Sequence, residues 1–182
     1  MFLFKNPIEK MMKSAAFVFL SLLVSSLAWG QRAITPTNEF TISGKVKTEL
    51  KFSLADLSAM PSVLIGDVEI TNHKGEPKGT AKNMKGILLK DLFSKTEFPV
   101  EKPKELSAFY ITCIASDGYK IVYSWNELFN TETGNHVFIV MEKDGEKAAD
   151  LEDRILMIST SDFKSGRRYL KGLQKIVVQR VD

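Results

Sequence analysis

The chain has 182 residues, 44% of them apolar and 26% charged, a balance that excludes a disordered tract or a fibre. The formal charge is +3, but the first 30 residues hold Lys5, Lys10, Lys13 and Glu9, so the remaining 152 are nearly neutral. A general nucleic-acid binder needs a broader positive field and is excluded too, and any useful positive charge must be local.

The amino terminus reads as a secretory signal over residues 1–30. Lys10 and Lys13 precede the apolar run Ala15–Ala28, and Ala28 and Gly30 place small residues where a signal peptidase reads. The run is too short to span a bilayer core of about 30 Å as a helix. An uncleaved anchor is the alternative, and Met11 or Met12 is an alternative start. The expected location is secreted or periplasmic, in a bacterial envelope. With Cys113 as the only cysteine, no intrachain disulfide is possible, so the fold must rest on its core.

Residues 31–39 read as a flexible entry, and residues 40–182 as one domain. Phe40, Ile42 and Val46 alternate with polar residues, and Leu50 and Phe52 continue, predicting one or two strands. Ser53-Leu54-Ala55-Asp56 has the pattern of a capping box, which predicts a short helix that stops before Pro61. A strand is expected over Val63–Ile70, then a polar loop over Thr71–Lys85 punctuated by Gly75, Pro77 and Gly79. Ile87, Leu88, Leu89, Leu92 and Phe93 have helical spacing.

Leu106–Ser116 and Tyr119–Trp125 read as strands joined at Asp117-Gly118 by a two-residue hairpin. Ser124-Trp125-Asn126-Glu127 repeats the capping-box pattern. Val137–Met141, Arg154–Ile158 and Leu173–Val181 complete the strands. The fold class expected is α+β: a curled mixed or antiparallel β-rich sheet with short helices against it.

No Walker loop, Gly-x-Ser-x-Gly elbow or dinucleotide-binding glycine motif is present. Cys113, between Thr112 and Ile114, reads as a small buried hydrophobe rather than a reactive thiol. His73 and His136 lack companions at ligand spacing and read as exposed turn histidines, so no metal site is expected. Two basic clusters remain. One is Lys74, Lys78, Lys82 and Lys85. The other is Lys164, Gly166, Arg167, Arg168 and Lys171, where Gly166 permits close approach to the backbone and guanidinium forks match phosphate oxygens. If both loops meet at one rim, they make a phosphate-sized positive pocket. On a strand, one of Arg167 and Arg168 would have to face inward or lie along the sheet.

The motifs then fall into an order. They are Gly44-x-Val46, Ser53-Leu54-x-Asp56-Leu57 with Met60-Pro61, Lys85-Gly86-Ile87-x-Leu89-x-Asp91-Leu92, Ser116-Asp117-Gly118-Tyr119, Asp144-Gly145, Gly166-Arg167-Arg168-Tyr169-Leu170-Lys171-x-Leu173, and Ile176-x-Val178. Over residues 40–181 this resembles the oxidoreductase molybdopterin-binding domain, the catalytic domain of sulfite-oxidase-type enzymes. The resemblance implies a β-rich α+β fold and a pterin whose phosphate is held by basic side chains. It makes Arg167, Arg168 and Lys171 cofactor-binding candidates, and the Asp-Gly-Tyr segment adds Asp117 and Tyr119.

The chain departs from the family at one place. Active members carry a molybdenum-ligating cysteine between the strand after the Met-Pro turn and the aromatic-Gly or Lys-Gly that opens the next helix. Here residues 70–85 contain none, and Asn72 or His73 stands near the expected position. An amide does not replace soft sulfur without changing the metal chemistry. The expectation is therefore an exported pterin- or phosphate-binding module without sulfite-oxidase-type molybdenum catalysis. Two alternatives stay open: an oxidoreductase with an atypical metal site or another cofactor, and a non-catalytic interaction domain with a filled pocket. A redox or envelope partner protein is compatible with each.

Overall fold

A computed structural model describes residues 33–182; the leader read over residues 1–30 lies outside them. The strands are β1 (Glu39–Gly44), β2 (Leu50–Ser53), β3 (Val63–Thr71), β4 (Pro77–Leu88), β5 (Phe109–Ala115), β6 (Lys120–Ser124), β7 (Val137–Lys143), β8 (Glu146–Lys147), β9 (Leu156–Ser159), β10 (Leu170–Lys171) and β11 (Leu173–Arg180). Two short helices, α1 (Leu54–Ser58) and α2 (Trp125–Phe129), and several 3₁₀ turns connect them. The architecture is α+β and strand-rich, but there are two sheets where one curled sheet was expected. The first runs β2-β1-β11-β5-β6 and the second β10-β9-β7-β4-β3, with β8 on β7. Only the β1–β11 pairing is parallel among these ladders.

The sequence dictates how the sheets pack. In β5, Phe109, Ile111, Cys113 and Ala115 alternate inward and meet Ile121 and Tyr123 of β6 and Ile176 and Val178 of β11. The same core takes Val137 and Ile139 from β7 and Met157 from β9. The intervening Phe138, Val140, Leu156 and Ile158 fill a second core on the other face. A strand buried on both faces reads as an unbroken apolar run, which explains Val137–Met141. Each fully buried aliphatic side chain stabilises the fold by about 1.5–3 kcal/mol relative to exposure.

Both capping boxes form. The Ser53 hydroxyl accepts from the Asp56 N–H, and Asp56 returns a bond to the Ser53 N–H. Ser124 and Glu127 repeat this at α2.

Three local expectations need correction. The stretch read as a polar loop over Thr71–Lys85 is mostly strand. Pro77–Met84 of β4 pairs with β3 alone, and β7 joins only from Lys85 onward. In that half only Ala81 and Met84 are buried, three residues apart, so it lacks the apolar alternation that marks a strand. Ile87 and Leu88 belong to β4, and only Leu89, Leu92 and Phe93 lie on a helical turn, the 3₁₀ segment Leu89–Lys95. The β5–β6 connection has three residues, Ser116–Gly118, because Ala115 N–H bonds the Tyr119 carbonyl. Gly118 at φ +89° supplies the left-handed residue that a three-residue hairpin loop requires.

The segment preceding β1 touches the domain at several points. Ser116 Oγ accepts from the Thr35 N–H and donates to the Thr35 carbonyl. Thr37 bridges to Arg154.

Candidate functional site

Three loops converge at one end of the second sheet: the β3–β4 turn, the β5–β6 hairpin and the segment 160–169. Ser165 anchors the third to the first. Its hydroxyl donates to the Glu69 carbonyl and accepts from the Thr71 N–H, at 2.9 Å each. Gly166 then passes so close to β3 that a Cβ there would lie 2.0 Å from the Thr71 carbonyl oxygen. The glycine is a packing requirement, and it delivers Arg167 and Arg168 to the sheet end.

The two arginines diverge. They lie at a 3₁₀ turn, Ser165–Arg167, rather than on the expected strand. Arg168 turns inward. Its Nε and Nη2 donate to the two Asp162 carboxylate oxygens at 2.7 and 2.5 Å, and Nη1 donates to Glu127 Oε1 at 3.3 Å. The guanidinium carbon sits 4.5 Å from the centre of the Tyr123 ring, a cation–π contact. The Asp162 bonds, and after them the neighbouring charges, hold the guanidinium more firmly protonated than usual, against the opposing effect of burial. Tyr123 is fully buried, and its hydroxyl has no hydrogen-bond partner among the described residues.

Arg167 turns outward. Its Nε donates to the His73 carbonyl at 3.0 Å, and its own carbonyl accepts the Tyr119 hydroxyl at 2.6 Å. One residue therefore ties the three loops together, and it lines a cleft of about 580 Å³. Lys164, Arg168, Asp162, Glu132, His136 and Phe163 also line that cleft. The Lys164 stem lies against Gly75 of the β3–β4 turn, so the two basic loops do meet. Lys74, Lys78, Lys82 and Lys85 nevertheless stay out of the cleft lining, and Lys85 pairs with Glu142 at 2.8 Å.

The remaining candidates are held elsewhere. Asn72 is used by its own turn: Oδ1 accepts from the Lys74 and Glu76 N–H groups and Nδ2 donates to Glu76. The Asp117 carboxylate accepts from the Tyr119 N–H, closing the hairpin turn. Lys171, on β10, pairs with Asp153 at 2.7 Å. His73 is exposed and enters the site through its carbonyl. His136 is only half exposed, unlike the turn histidine expected. Its Nε2 lies 3.3 Å from Glu132 and its Nδ1 3.3 Å from the Thr160 hydroxyl.

Sequence reasoning missed Asp162, Glu127 and Tyr123 as the partners of Arg168, and missed Phe163 altogether. Only Glu127 lies in a motif, the capping box at Ser124, and nothing in that motif points to Arg168, because its partners come from three separate elements.

The residues fit one half of a phosphorylated metal cofactor. Arg167 and Lys164, with no ion-pair partner among the described residues, suit an anion. The metal half is not matched. Cys113 is fully buried in the centre of β5, where burial pushes its thiol pKa far up. Among the described residues no three His, Cys, Asp or Glu side chains are grouped to hold a metal ion.

No family model matches the chain, and no curated protein matches it. Among solved structures it is similar to the crystal structure of the sulfane dehydrogenase SoxCD from Paracoccus pantotrophus. The TM-score is 0.60 at 14% identity, over 84% of this chain and 41% of that one. This likeness is one of fold. It shows that the strand-rich α+β fold of this chain is shared with part of that protein. The chain spans less than half the length of that relative.

Proposed function

We propose that this is an exported binding domain whose cleft takes a small phosphate-bearing ligand of the pterin class, without thiolate-ligated molybdenum chemistry. The observation that carries this reading is the placement of Arg167. Its Nε and carbonyl are fixed to the β3–β4 turn and to Tyr119, and the residue lines the cleft beside Lys164. A pre-positioned guanidinium binds an anion at lower entropic cost than a free one. The cleft volume of about 580 Å³ lies within the range of small-molecule sites. Arg168 contributes no free charge, since Asp162 and Glu127 neutralise it.

Calorimetry with inorganic phosphate and with a pterin monophosphate tests the reading. Arg167→Ala should weaken both by about 10-fold or more, the loss of a charge-assisted hydrogen-bonding group. Equal affinity in the wild type and the variant would remove the assignment.

A further inference from the structure

A separate cleft of about 320 Å³ opens at the edge of the first sheet and shares no lining residue with the cleft at Arg167. Strand β2 forms one wall, α1 and Met60 behind it another, and Lys95 of the 3₁₀ segment Leu89–Lys95 a third. β2 is an edge strand, paired with β1 alone. Side chains close its outer edge on both sides. Before the strand, the Thr96 hydroxyl donates to the Thr48 carbonyl at 2.7 Å and accepts the Thr48 N–H at 3.3 Å. After it, Asp56 Oδ2 accepts the Ser53 N–H at 2.8 Å.

Lys51 lies between these closures. The Leu54 N–H bonds the Asn38 carbonyl, so in the antiparallel alternation Phe52 and Leu50 also bond β1, and the Lys51 N–H and carbonyl point away from it. The strand therefore offers one free donor and one free acceptor, the span of a single residue. Every backbone N–H and carbonyl taken out of water needs a partner.

Two opposite charges flank this gap. Asp56 uses Oδ2 for both the Ser53 N–H and the Ser53 hydroxyl, which leaves Oδ1 unused. The Ser53 bonds, and more weakly Lys95, hold its carboxyl below the usual carboxylate range. Lys95 nevertheless has no ion-pair partner among the described residues. Phe52 faces the core, so Lys51 lies on the opposite face of the strand, where Glu39 pairs with its ammonium at 2.8 Å. The available positive charge of the cleft is therefore that of Lys95. Leu50 and Met60, both half-buried, add apolar surface, and a methionine adapts to partners of different shape.

We infer that this cleft is a second binding site, for a free α-amino acid with an apolar side chain. The ligand's carboxylate lies against Lys95 and the Lys51 N–H, its ammonium against Asp56 Oδ1 and the Lys51 carbonyl, and its side chain against Leu50 and Met60. A carboxylate and an ammonium on one carbon match opposite charges that share a cleft without pairing. Thr96 and Asp56 already hold the flanking edge, which excludes a longer peptide strand. The volume is at the lower end of small-molecule sites. This site is independent of the anion reading at Arg167.

Calorimetry on the purified full chain tests it with L-leucine, L-methionine, isocaproate, which is leucine without its amine, and isoamylamine, which is leucine without its carboxylate. Both amino acids should bind with a Kd of about 1 mM or tighter, and each analogue at least ~10-fold more weakly, the loss of a charge-assisted contact. Lys95→Gln should weaken leucine about 10-fold, to the level of isoamylamine, because both changes remove the same contact. Lys95 is exposed, so the variant keeps its fold, and its phosphate binding should match the wild type.

Absence of heat with both amino acids at about 10 mM would overturn the inference. So would equal affinity for leucine and either analogue, or leucine binding that survives Lys95→Gln. Each of these failures leaves phosphate binding at Arg167 standing, whereas loss of phosphate binding with leucine binding intact removes the Arg167 reading alone.

Discussion

The Tyr119 hydroxyl donates a 2.6 Å hydrogen bond to the backbone carbonyl of Arg167. The hairpin of the first sheet is thereby fastened to the loop that carries both arginines. Tyr119 is 44% exposed, so water competes for the bond, and its net contribution lies at the low end of the usual range, about 0.5–1 kcal/mol. Tyr119→Phe should lower the unfolding free energy by that amount, read as a lower urea midpoint with an unchanged slope. It should also weaken phosphate binding several-fold, because Arg167 loses one of its two fixings. Unaltered phosphate affinity would mean that the loop holds its place without the hairpin.

Gly166 makes a sharper prediction. A methyl group there would meet the Thr71 carbonyl oxygen at 2.0 Å, and backbone atoms have little room to yield. Gly166→Ala should destabilise by about 2 kcal/mol, as overpacking typically does, and should pull the Ser165 hydroxyl away from Glu69 and Thr71. Hydrogen exchange at the Thr71 amide would then accelerate. A variant with wild-type stability and wild-type protection at Thr71 would contradict this contact.

Legibility in the sequence followed the periodicity of the chain. The capping boxes at Ser53 and Ser124 and the doubly buried run at Val137 are local signals, and the structure forms each of them. The arm Pro77–Met84 buries only Ala81 and Met84, and that spacing has no apolar alternation to betray a strand. The basic segment around Gly166 was visible from composition, and the structure joins it to Tyr119. The division of labour between the arginines was not visible. It depends on Asp162, Glu127 and Tyr123 reaching Arg168 from three separate elements, and spacing carries no trace of that.

Arg168 should prove structural rather than ligand-binding. Its side chain is 22% exposed and that of its partner Asp162 is 12% exposed. Removing the guanidinium strands a nearly buried carboxylate and takes the cation off the Tyr123 ring. Arg168→Ala should cost about 3 kcal/mol. Arg168→Lys keeps the charge but loses the two-pronged geometry, so it should recover only part of that loss. Thermal or urea unfolding measures both. A cost below about 0.5 kcal/mol for the alanine variant would show that the pair contributes no more than a surface ion pair.

The buried ionisable groups predict a loss of stability in alkali. Burial raises the Cys113 thiol and the Tyr123 phenol far above their usual values, and raises Tyr169 to about 12. In each case the neutral, protonated form is the one the fold favours. The unfolded chain gives up these protons at ordinary pKa values, ~8.5 for the thiol and ~10 for the phenols. Above those values the unfolded state binds fewer protons than the native state, so stability falls as pH rises, with a limiting slope of about 1.4 kcal/mol per pH unit for each group. The decline should begin near pH ~8.5 with Cys113 and steepen near pH ~10 as the two tyrosines join. Cys113→Ala should remove the first phase and leave the second. The same burial predicts that a thiol reagent at about pH 8 leaves the native chain untouched and modifies one cysteine once urea unfolds it. Rapid labelling of the folded protein, or a flat stability profile between about pH 8.5 and 10.5, would show that the thiol reaches solvent and that the β5 core is looser than its packing implies.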